Sequence, residues 1–80
     1  MNVGGALAAS QDWPMQILLN DQPREVPDGC TLAGLLDELA LAGKPVAVEV
    51  NLELVPRRDH AGRRLAAGDR LEIVTLVGGG

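Results

Sequence analysis

The sequence predicts an α+β domain in which one main amphipathic helix lies across a mixed sheet of four to five strands. Three observations carry this reading. Short apolar runs at residues 15–20, 46–50 and 71–77 have the length and β-branched content of strands. Leu32, Leu35, Leu36 and Leu39 fall at i, i+3, i+4 and i+7, a single helical face. The chain has 80 residues, enough for one small domain. A lone helix must bury its leucines against something, and without a second helix that surface is a sheet.

Taken in order, residues 1–14 carry no Lys or Arg. A secretory signal needs a basic start before its apolar run, so this stretch reads as a flexible N-terminal extension. The domain is expected over residues 15–80, starting at Met15. Residues 15–20 form a first strand and Asn20-Asp21 a turn. Residues 22–26 form a second, weaker strand, with Pro23 at an edge because it has no amide to donate. The two make a β-hairpin. Pro27-Asp28-Gly29 then turns the chain. Thr31 fits a helix N-cap, its hydroxyl accepting from a free first-turn amide. Gly34, three residues later, rules out a capping box. Asp37 and Glu38 lie off the leucine face, and Gly43 and Pro45 stop the helix after about three turns.

Residues 46–50 form the third strand, with Val46, Val48 and Val50 on one face and Glu49 on the other. Asn51 begins a turn, and residues 52–55 give a short return strand ended by Pro56. A helical turn at 57–61 and a polar loop with a Gly68-Asp69 turn lead to Arg70, which opens the final strand. The apolar run from Leu71 to Val77 fits a central, well-buried position.

Composition excludes several functions. The net charge of −4 and pI near 4.7 argue against non-specific nucleic-acid binding, which needs Lys and Arg against phosphates. One cysteine precludes an internal disulfide and fits a reducing cytoplasm. No apolar run approaches the roughly 20 residues of a membrane helix. With no Phe or Tyr, the core must be aliphatic. No catalytic constellation and no metal-ligand set stands out. Cys30 precedes the helix, where a thiol can be activated. Lacking a His or second Cys beside it, it reads as a small, partly buried hydrophobe. His60 stands alone and reads as a surface structural residue. Arg57, Arg58, Arg63, Arg64 and Arg70 form a basic group in an acidic chain. It reads as a solvated face, with Arg57 and Arg58 as candidates for steering an acidic partner. Asp37 and Glu38 are the opposite candidate patch.

The chemistry is expected at Gly78-Gly79-Gly80. Glycine lacks Cβ, so the tail is thin and its last carbonyl carbon unshielded. Three extended residues reach roughly 10 Å, enough to carry a carboxylate into a partner's active site. Just before the tail, alternation lets only one of Leu76 and Val77 point inward, leaving the other for docking.

From Met15 to Gly80 the chain resembles the small sulfur carrier proteins of thiamine biosynthesis, the ThiS family. The residues that carry the likeness are Met15-Gln16-Ile17-Leu18-Leu19-Asn20, Thr31-Leu32 with Leu35-Leu36, Val48-Glu49-Val50-Asn51 through Val55-Pro56-Arg57, Gly68-Asp69 and Gly79-Gly80. Gly78 departs from the pattern, since relatives often have another small residue there. The resemblance implies a ubiquitin-like β-grasp fold, with first and last strands side by side and parallel. It also implies a chemistry. A ThiF-type adenylating enzyme, using ATP and Mg, would join AMP to the Gly80 carboxylate. A cysteine desulfurase or other persulfide donor would supply sulfur to give a thiocarboxylate, and thiazole synthase would accept it. The chain itself would bind no cofactor, would not be an enzyme, and would act as a cytoplasmic monomer, with neither nucleic acid nor membrane as partner. Two other readings share the fold: the sulfur-carrying small subunit of molybdopterin synthase, and a ubiquitin-like modifier or binding module with no chemistry at Gly80. Short length and few aromatics argue against the first of these.

Overall fold

The computed structural model describes residues 14–76. The elements run β1 (Pro14–Leu19), β2 (Gln22–Pro27), α1 (Leu32–Glu38), β3 (Val46–Val50), β4 (Glu53–Leu54) and β5 (Arg70–Thr75), with a 3₁₀ turn at Arg57–Asp59. The strands form one sheet in the order β2-β1-β5-β3-β4. β1 and β5 pair in parallel, and the other neighbours are antiparallel. First and last strands therefore lie side by side, as the β-grasp resemblance implies. The segment before α1 also pairs with the loop before β5, through a bridge between Thr31 and Arg64.

Both hairpins turn on two left-handed residues, Asn20 and Asp21 (φ 51° and 67°) between β1 and β2, and Asn51 and Leu52 (φ 52° and 72°) between β3 and β4. Positive φ at both central positions is the two-residue turn whose twist matches that of the strands.

Thr31 caps α1 as expected, its Oγ1 accepting from the Gly34 amide at 3.1 Å. The helix is shorter than the three turns predicted and ends at Glu38, well before Gly43. Its end is a Schellman arrangement. The Ala40 amide donates to Asp37 O at 3.0 Å and the Leu41 amide to Leu36 O at 2.8 Å. Ala40 takes the left-handed position usually given to glycine, with φ 61°. The pull comes from Leu41, which packs against the core.

The core lies between α1 and the sheet. Ile17, Leu32, Leu35, Val48, Val50 and Leu71 are fully buried, joined by Val26, Leu36, Val55, Leu65 and Ile73. β5 is central, but the expectation of a well-buried run from Leu71 to Val77 needs correction. Only Leu71 and Ile73 are buried, while Glu72, Val74, Thr75 and Leu76 are exposed. One layer of helix covers one face of the sheet, so alternate residues of even its central strand meet water. Among the described residues, no helix is long and apolar enough to cross a membrane.

Candidate functional site

The predicted working group follows β5 in the sequence, so the anchoring of that strand bears on the site. β3 pairs with β5 over its full length, from Val46 opposite Thr75 to Val50 opposite Leu71. β1 supports β5 only at Leu18–Arg70 and Leu19–Leu71, because the chain then turns away. The Asn20 side chain takes over from the missing ladder. Its Oδ1 accepts from the Ile73 amide at 2.8 Å and its Nδ2 donates to the Ile73 carbonyl at 3.2 Å. The Asn20 amide also donates to Leu71 O at 2.8 Å.

A second turn asparagine holds the start of the strand. Asn51 Oδ1 accepts from the Arg70 amide at 3.0 Å, and its Nδ2 donates to Asp69 Oδ1 at 3.0 Å. Asp69 Oδ2 in turn accepts from the Ala66 amide at 2.8 Å. The far end is fixed by the Leu76 amide, which donates to Pro45 O at 2.8 Å. The strand is thus held at its start, middle and end. Neither asparagine's role in this is legible in sequence, since the Asn20 partner lies 53 residues away.

Val77, Gly78, Gly79 and Gly80 fall outside the described residues. Leu76 is 52% exposed and continues the outward alternation of Glu72 and Val74. Arg57 is exposed, and its Nη2 donates to Lys44 O at 2.9 Å. That carbonyl precedes Pro45, the residue bonded to Leu76, so Arg57 lies beside the segment supporting the base of the tail. Arg58 instead lines a cavity of about 400 Å³ with Leu54, Pro56 and Arg63. Arg64 lines another with Pro14, Met15 and Asp28. Arg70 pairs with Asp21 at 3.6 Å. Of the arginines that look grouped in the sequence, Arg58 and Arg63 share one cavity, while Arg57, Arg64 and Arg70 have other neighbours.

Cys30 is half-buried, and its Sγ donates to the Thr31 carbonyl at 3.3 Å. Burial, and then the nearby Glu38 carboxylate, push its thiol pKa up, the opposite of activation. His60 is buried, not at the surface as expected, with Nε2 3.0 Å from the Val55 carbonyl. Its own carbonyl accepts from the Ala33 amide at 3.0 Å, so it ties the 3₁₀ turn to the start of α1. Among the described residues no three His, Cys, Asp or Glu side chains gather as a metal site.

Comparison with known proteins bears on the same region. The ThiS family model matches residues 17–80. The sulfur carrier protein ThiS of Escherichia coli is 33% identical over 66 residues, covering 82% of this chain and 100% of that protein. A thiazole synthase of Paramagnetospirillum magneticum is 41% identical over 66 residues. The chain spans only 20% of the length of the thiazole synthases it matches. Among solved structures, a crystal structure of the thiamine biosynthesis protein ThiS from Geobacter metallireducens is similar with a TM-score of 0.71. It is 29% identical, over 82% of this chain and 100% of that one.

Proposed function

This chain belongs to the ThiS family, and from that premise we propose that it is a sulfur carrier of thiamine biosynthesis whose Gly80 carboxylate carries the sulfur. A carboxylate is a poor electrophile. A ThiF-type partner consumes ATP, with Mg, to make an acyl adenylate at Gly80 and release pyrophosphate. The terminal sulfur of a persulfide, on a cysteine desulfurase or another donor, attacks the carbonyl carbon and AMP leaves. Cleavage of the resulting acyl disulfide by a thiol leaves the Gly80 thiocarboxylate. Thiazole synthase takes the sulfur from there. This chain contributes a substrate group on a rigid handle and no catalytic side chain, and it works in the cytoplasm.

The observation that carries the reading is the anchoring of β5 at Arg70, Ile73 and Leu76, together with a family match that runs through Gly80. A strand fixed at three points is a firm base for chemistry on the residues that follow it. Gly78 and Gly79, lacking Cβ, suit entry into a narrow channel of a partner, while Leu76 and Arg57 are candidate contacts for that partner. Arg58 faces another cavity and would serve a wider interface. Thiazole synthases that contain a region similar to this chain support that enzyme as the acceptor. The names of the relatives favour thiamine over molybdopterin synthesis.

The test is intact mass. Incubation with the adenylating enzyme, Mg·ATP and a persulfide source should add the mass of one oxygen-for-sulfur exchange. Removal of Gly80 should abolish the gain. A gain retained without Gly80 would move the chemistry elsewhere.

A further inference from the structure

The uncovered face of the sheet carries an arrangement that folding alone does not favour. Glu49 on β3 lies directly opposite Glu72 on β5. Their neighbours Val48–Ile73 and Val50–Leu71 are buried on the helix side, so both glutamates point to the open side. Directly opposed side chains have Cβ atoms about 4.5–5.5 Å apart, and like charges there are destabilising. All seven Lys and Arg of the chain lie within the described residues. The ion pairs among those residues are Arg24–Glu38 and Arg70–Asp21, and neither involves Glu49 or Glu72. Arg70 precedes Glu72 on the same face, but its guanidinium is turned to Asp21.

Apolar side chains flank the two acids. Leu54 on β4 lies opposite Glu49 on its other side, and Val74 lies opposite Ala47 one row nearer the tail. Leu76 follows in the next row. Leu54, Val74 and Leu76 are 67%, 57% and 52% exposed, three of the four large apolar residues so exposed among the described residues. An exposed apolar cluster beside a charge centre is the composition of an interface, where a polar contact sets register and apolar contacts exclude water.

We propose that this open face docks a protein surface that presents one arginine to the Glu49–Glu72 pair amid apolar side chains, and that thiazole synthase is the protein that does so. A guanidinium has several N–H donors in a fixed fork and can serve both carboxylates at once, turning a repulsive pair into a bridged one. The choice of partner rests on the sulfur-carrier reading and on the similarity of this chain to a region of thiazole synthases. The docking rows include residues of β5, the strand that precedes Gly78 in the sequence.

The experiment is a calorimetric titration of the full chain into purified thiazole synthase, with a melting curve for each variant. The double variant Glu49→Gln, Glu72→Gln should bind at least about tenfold more weakly, as expected on loss of a paired interfacial charge. Its melting temperature should rise, because the cross-strand repulsion is gone. Asp28→Asn, at an exposed position in the turn between β2 and α1, should change neither. An unchanged Kd in the double variant would overturn the carboxylate pair as a docking element. Absence of wild-type binding would overturn the partner assignment. Thiocarboxylate formation on the wild-type chain, read separately by mass, tells either failure from a failure of the sulfur-carrier reading.

Discussion

Ala40 and Leu52 hold backbone angles that cost an L-residue roughly 1–2 kcal/mol, at φ 61° and 72°. Both are exposed, Leu52 to 79%, so little packing offsets that cost. Glycine removes the steric penalty and adds an entropic one of roughly 0.5–1 kcal/mol. Ala40→Gly and Leu52→Gly should therefore each raise the melting temperature by a few degrees, as followed by circular dichroism; a fall would show that the left-handed angles are not strained. At Cys30 the direction of the pKa shift gives a second expectation. The native thiol is held protonated above its usual 9.0, so its contribution to stability is present below that pH and lost as pH rises through the raised value. Cys30 should react with a disulfide reagent near neutral pH more slowly than a free thiol does. A faster reaction would mean an activated cysteine.

At the scale of elements, the two turn asparagines explain how a strand with incomplete neighbours is kept in place. Asn20→Ala removes both side-chain bonds to Ile73 and leaves a half-buried amide and carbonyl without partners. The loss should be about 1–3 kcal/mol. Hydrogen exchange should quicken at the Ile73 amide more than at Val48, on the neighbouring strand. Equal acceleration would mean that Asn20 acts only on global stability. The elements themselves were largely readable. Alternating valines gave β3, leucine spacing gave α1, and an Asn-Asp pair gave the first hairpin. The helix end was not readable, because Gly43 is the obvious stop and Leu41's pull into the core is a tertiary effect. The half-exposed state of β5 was hidden for a similar reason. Ile73-Val74-Thr75-Leu76-Val77 looks uniformly apolar, and only the sheet order and the single covering helix decide which side chains are wet. His60 is buried because of the Val55 carbonyl five residues earlier, a contact that residue type does not announce.

At the scale of the molecule, the proposed function asks a small body with an aliphatic core only to carry one reactive group. Stability and chemistry are separable in such a design. The described core residues run from Ile17 to Ile73, so the melting temperature should be indifferent to removal of Gly80 while sulfur loading depends on it. The candidate site was legible in the sequence only as the glycine tail and its leading strand. The apolar and acidic residues of the open face were not, because Glu49 and Glu72 meet only when β3 and β5 pair. The same pairing places Leu54, Val74 and Leu76 beside them. The central claim is that sulfur is carried at Gly80, and the most direct measurement is the intact mass of the full chain and of a Gly80-deleted chain after reaction with the adenylating enzyme, Mg·ATP and a persulfide donor. The full chain should gain the mass of one oxygen-for-sulfur exchange, and the deleted chain, melting at the same temperature, should gain none. An equal gain in both, or no gain in the full chain while a known carrier is loaded alongside it, would contradict the account.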